Sequence, residues 1–273
     1  MKQRRLVKTL CGALAIGMMC LALTVAGCQT MLPAPQGVRT LPDDPSELMR
    51  IAETTFDRRG PTEAVWTSYQ AACRVAAADP QNEAAQFMVA RAASWLLEFT
   101  DNDFQRKDVA KAGYEAARCA LELSDNKRGA YHFLAGANLG FALRESSAPH
   151  MGDVKHVRDY LQRAIELEPD YSRGAAFRAL GMLLLYAPSW PMSVGDPDAA
   201  IDILRQAVQR YPDMPANWVM LAIAYSELGR KAEALAAARE AKMTLGADAG
   251  LWGVPGHRWQ SRIDSLRAKF NGP

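Results

Sequence analysis

The sequence predicts an all-α chain of stacked helical hairpins, and three observations predict it. From Pro45 onward the apolar residues recur at three and four positions, the period of a helix with one buried face. No run of alternating β-branched residues is long enough to argue a strand. A spaced pattern of small and large apolar residues then returns several times along the chain, which is how an array of repeats announces itself.

Ahead of this body, MKQRRLVK supplies basic side chains and TLCGALAIGMMCLALTVAG follows as an apolar run, the layout of an export signal. Val25, Ala26, Gly27 and Cys28 resemble the bacterial lipobox, where a signal peptidase cuts before a cysteine that is then acylated. Residues 1–27 are thus expected to be a lipoprotein signal peptide and Cys28 the lipidation site, which anchors the chain to a membrane. An uncleaved anchor is the alternative, because the run approaches the length that spans a bilayer. Either reading puts the remainder outside the cytoplasm. Gln29 rather than an aspartate follows the cysteine, which by resemblance to Gram-negative lipoprotein sorting implies the outer membrane, facing the periplasm. Residues 28–43 lack periodicity and are rich in proline, so they read as a tether, and residues 44–273 as the helical domain.

The whole chain carries a formal charge of +2, and its first 27 residues hold four basic side chains and no acid, so the mature part carries −2. Nothing basic remains to suggest nucleic acid. With Cys11 and Cys20 lost and Cys28 lipidated, Cys73 and Cys119 remain. They either pair in an oxidising compartment or serve as two separate small buried residues. Neither has a Cys or His at ligand spacing, so no metal or other cofactor is expected.

The first hairpin runs from Asp44 to Pro80 and closes on Ala72, Val75 and Pro80. The second places Val89, Ala90 and Ala93 before an insert, EFTDNDFQRKDVAK, and Gly113, Ala117 and Ala120 after it. The third has Tyr131, Leu134 and Ala135, the insert RESSAPHMGDVK, then Val157, Leu161, Ala164 and Pro169. In the fourth, Phe177, Leu180 and Gly181 precede APSWPMSVGDPDAA, and Ala200, Leu204, Ala207 and Pro212 follow. Within that loop Asp196 followed by Pro197 marks a helix start. The fifth hairpin is the clearest: Trp218, Leu221, Ala222, Tyr225, Gly229, Ala234, Ala238 and Ala241 fall at the spacing of a tetratricopeptide repeat, which they resemble. Small residues let two antiparallel helices approach while the large ones fill the gap to the next hairpin. The last helix, HRWQSRIDSLRAKF, puts Trp259, Ile263, Leu266 and Phe270 on one stripe and reads as a cap.

Solenoids of this type bind along the concave face lined by each hairpin's first helix. That resemblance assigns Phe87, Arg91, Ser94, His132, Gly136, Leu139, Arg178, Met182, Leu185, Val219 and Ile223 to the face. The set is mostly apolar or small and lacks the lysines and asparagines with which chaperone-binding relatives clamp a carboxylate. It suits a hydrophobic small ligand or an apolar partner helix. The alternative is packing on inserts or on a sister subunit in a homo-oligomer. Catalysis is not expected. His150 and His156 miss the spacing that would put two ligands on one helical face and read as exposed loop residues; His132 reads as a satisfied groove residue; and there is no GxSxG elbow or phosphate loop.

The long inserts set the chain apart. Gly181, Pro188, Trp190, Pro191, Ser193, Gly195 and Asp196 resemble the inter-helix loop of the TatT lipoproteins, tetratricopeptide components associated with tripartite ATP-independent periplasmic (TRAP) transporters. That resemblance implies a non-catalytic protein working with a periplasmic solute-binding subunit and a permease on small apolar or organic-acid ligands. A scaffold for outer-membrane or envelope protein assembly is the alternative. Trp190 either plugs its own hairpin or faces a ligand or partner at the rim.

Overall fold

The computed structural model describes residues 40–57, 60–100, 105–146 and 151–271. Cys28, the signal and most of the tether lie outside them. Five antiparallel helix pairs follow one another: α1 (Pro45–Thr55) with α2 (Thr62–Ala78), α3 (Glu83–Phe99) with α4 (Arg106–Leu123), and α5 (Gly129–Arg144) with α6 (Met151–Leu167). They continue as α7 (Ala175–Tyr186) with α8 (Pro197–Arg210) and α9 (Pro215–Glu227) with α10 (Lys231–Leu245). A short 3-10 turn leads into α11 (Gly253–Asn271). Each helix packs mainly on its chain neighbours, so the stack grows in one direction.

Local chemistry sets the helix starts. Asp44 accepts from the Glu47 amide at 2.8 Å, Asn82 from Ala85 at 3.0 Å and Asp196 from Ala199 at 3.0 Å, satisfying amides that have no partner inside the helix. Pro45, Pro197 and Pro215 stand in first turns, where no amide is needed. Small residues set the helix spacing: Ala135 and Ala222 are fully buried, and a Cβ on Gly181 would stand 2.5 Å from Leu204 Cγ.

The structure corrects the inserts. α3 runs on to Phe99 and α4 begins at Arg106, so much of the expected second-hairpin insert is helical. α6 begins at Met151, which moves His156 from a loop onto a helix, exposed and 3.7 Å from Asp153. No proline or glycine interrupts 153–167, and the Lys155–Asp159 pair at 2.6 Å supports the first turns. His150 lies outside the described residues. Cys73 is buried in α2 and Cys119 half-buried in α4, each as a thiol rather than half of a disulfide.

Two fully buried asparagines tie the stack together. Asn138 of α5 donates to Ala90 O of α3 at 3.0 Å, and Asn217 of α9 donates to Ala207 O of α8 at 3.1 Å. Each spends a polar group on joining one hairpin to the previous one, and each would be costly to leave unpaired.

The cap does more than cover the last repeat. One stripe of α11, with Trp259 and Ile263, packs on Val219, Ala241 and Leu245. Its start reaches α3, with Val254 against the core of the first hairpins. The stack therefore curls far enough for its last helix to touch its second hairpin.

Candidate ligand cavity

That curl forms an open-mouthed cavity of about 1320 Å³ on the concave face. The first helices α3, α5, α7 and α9 form its floor, through residues such as Trp95, Phe133, Leu134, Met182 and Ile223. Pro255, Arg258, Trp259 and Arg262 recur at three and four positions along α11 and form the opposite wall. The volume exceeds the usual range for a drug-sized molecule, roughly 300–1,000 Å³.

Of the residues expected on the concave face, Arg91, Ser94, Gly136, Arg178, Met182 and Ile223 line this cavity. The others sit elsewhere. Phe87 stacks on Tyr131 at 5.1 Å between ring centres. His132 is buried, with Nε2 donating to the Asn126 carbonyl at 3.1 Å, and burial holds its pKa below the ordinary value. Leu139 is buried in a cluster with Leu161 and Leu180, and Leu185 packs against that cluster and the next. Val219 is fully buried beneath α11. The reason is the helix period: a step of one residue turns a side chain by about 100°, so Phe133, Gly140, Tyr186 and Met220 line the cavity while His132, Leu139, Leu185 and Val219 just before them face the seams between hairpins.

Trp190 neither plugs its hairpin nor reaches the cavity. It is 85% exposed at the tip of the loop between α7 and α8, beside Met192 at 71%. The loop's neck is closed by Gly195 N to Pro188 O and Asp196 N to Leu184 O, both at 2.9 Å. Gly195 is required there, because a Cβ would collide with the Ala187 carbonyl oxygen. Ala187 and Pro188, at the base of the loop, line the cavity, so Trp190 stands on a rim just outside it.

Sequence reasoning placed Arg91, Ser94 and Arg178 on the concave face but missed the other charged groups of the wall, Arg106 and Glu145 among them. Arg106, 8% exposed, donates to Leu97 O at 2.7 Å, to Thr100 O at 2.8 Å and to Glu145 at 2.9 Å. Burial pushes the Glu145 carboxyl up, but Arg106 and Arg144 more than offset this and hold it below the usual range. Arg178 donates to Asn217 Oδ1 at 2.7 Å, and the Arg91 guanidinium lies 4.0 Å over the Phe56 ring. The usable signal was Arg258 and Arg262, one turn apart beside Trp259 on the cap helix.

Comparison with known proteins gives these features their class. Residues 192–253 match the family model described as tetratricopeptide repeat. TTC0263, a thermophilic tetratricopeptide protein of Thermus thermophilus, superposes with a TM-score of 0.60 at 16% identity, over 82% of this chain and 98% of that one. The architecture is a tetratricopeptide-type solenoid. The MamA protein (TM-score 0.46, 19% identity, 74% of this chain and 91% of that one) is also similar. So is a Thermobaculum terrenum O-GlcNAc transferase mutant (TM-score 0.43, 23% identity, 63% of this chain and 28% of that one). No curated protein matches the sequence. Tetratricopeptide repeats generally mediate contacts between proteins, and in this chain they curl round the cavity on the concave face.

Proposed function

We propose that this chain is a non-catalytic, lipid-anchored protein on the periplasmic side of the outer membrane, binding a hydrophobic small ligand in its concave cavity. We further propose that it presents the Trp190 loop to a periplasmic transporter subunit, in the manner of the TatT components of TRAP transporters. The observation that carries this reading is the cavity, which is largely apolar along its floor and walled on one side by the cap helix. The membrane anchor rests on the lipobox-like Cys28, where acyl chains would each add about 0.8 kcal/mol of membrane affinity per buried methylene.

Two measurements test it. Mass spectrometry of the protein purified from membranes should find a retained apolar or amphipathic molecule, and Cys28→Ala should release the chain from the membrane fraction. Because the exposed Trp190 and Met192 would equally suit a protein partner in envelope assembly, the scaffold reading is tested by the same preparation. A ligand-free protein that captures barrel-assembly components but no solute-binding subunit would overturn the transport reading.

A further inference from the structure

One clamp recurs at the turns that join successive hairpins. The fourth residue of α3, of α5, of α7 and of α9 donates in each case to the carbonyl six positions before it. Gln86 Nε2 reaches Pro80 O at 3.1 Å and His132 Nε2 reaches Asn126 O at 3.1 Å. Arg178 Nη2 reaches Ser172 O at 3.3 Å and Trp218 Nε1 reaches Pro212 O at 2.7 Å. Arg178 differs from the others in reach. Its Nη1 also donates to Arg173 O at 2.9 Å and to Asn217 Oδ1 at 2.7 Å, and Asn217 in turn donates to Ala207 O and Tyr211 O. A single guanidinium thereby ties the end of the third hairpin to the fourth and the fifth. The turn it holds is strained: Ser172, Arg173 and Gly174 follow one another at φ 51°, 53° and 85°, where side chains are disfavoured. Tyr171, Ser172, Arg173 and Arg178 line the cavity, whereas Gln86, His132 and Trp218 do not.

Curvature is the sum of the rotations at the joints, so a clamp on two consecutive joints weighs on that sum more than a clamp on one. An occupant that excludes water from the wall strengthens these charge-assisted bonds. A body touching both the floor and the cap helix makes its full contacts only in the curled state, and it therefore selects that state. We infer that Arg178 is the positioning residue of the cavity: it holds three hairpins at the angle that brings α11 onto α3, and through it filling the cavity and tightening the curl are coupled. The coupling, though not the curl, rests on the cavity being a ligand site.

Hydrogen exchange of the full chain in amphipol, read by mass spectrometry, tests both parts. Arg178→Met removes the donors and should speed exchange in 253–262, at the start of α11, by at least about tenfold, the order expected when hydrogen bonds from a charged group are lost. Exchange in α1 and α2 should stay at the unmodified rate. Arg178→Lys should recover part of the protection and serves as the variant should Arg178→Met not fold. Gln86→Met removes a clamp away from the cavity and should leave 253–262 unchanged. Unchanged exchange in 253–262, or equal acceleration in every hairpin, overturns Arg178 as the positioning residue. Adding 1-dodecanol to the unmodified chain should slow exchange in 168–174 and 253–262 together. Slowing in 253–262 alone overturns the coupling through the joint. Slowing in neither, with tryptophan fluorescence unchanged, overturns the ligand site while the result on Arg178 and the curl stands.

Discussion

The last two hairpins pack their helices alike and join them in opposite ways. α9 passes to α10 through Leu228, Gly229 and Arg230, with Gly229 at φ 70° and open space where a Cβ would stand. α7 passes to α8 through residues 187–196, where Gly195 sits against the Ala187 backbone. One glycine supplies a backbone conformation that side chains disfavour, and the other supplies room. Helix packing is nonetheless common to both: Leu180, Leu204, Leu221 and Ala238 are buried alike. The connection is thus free to vary, and the longer one carries the exposed Trp190.

The largest expected effect tests whether the helices, rather than the loop, hold the fourth hairpin. Leu204→Ala, at a fully buried position against Gly181, should cost about 2–5 kcal/mol in a denaturant melt. A loss well under 1 kcal/mol would mean that the loop carries the stability. Gly195→Ala should cost about 1–3 kcal/mol, because the carbonyl it meets belongs to the backbone and cannot turn aside. Gly229→Ala meets no atom and should cost only the left-handed conformation, about 1 kcal/mol. If the two glycine variants proved equal, the distinction between room and conformation would collapse. Trp190→Ala, at an exposed tip, should change stability by less than about 0.5 kcal/mol. Capture of a solute-binding subunit should fall in the same variant; a large drop in melting temperature with unchanged capture would place Trp190 in the fold instead.

Legibility followed the range of the interactions. The helical hairpins were readable because their determinants are local: Asp196 before Pro197 caps α8, and Gly181 faces Leu204 within one hairpin. The second and third inserts are shorter than the sequence suggests, because helix continuation through Glu98–Phe99 and Asp153–His156 depends on packing and ion pairs rather than on a motif. The roles of Asn138 and Asn217 were invisible, since their acceptors lie 48 and 10 positions away in chain. Of the expected concave positions, about half a helical turn separated Arg178 and Met182, on the cavity, from Leu180 and Leu184, in the core.

By itself the sequence determined an all-α repeat array, its hairpin register and its helix caps, because each depends on residues a few positions apart. It took the packed chain to show that the array curls until α11 meets α3, that a cavity lies between them, and that Arg262 faces it beside the Met220 sulfur. Curvature is the sum of small rotations between successive hairpins, and no single segment carries that sum.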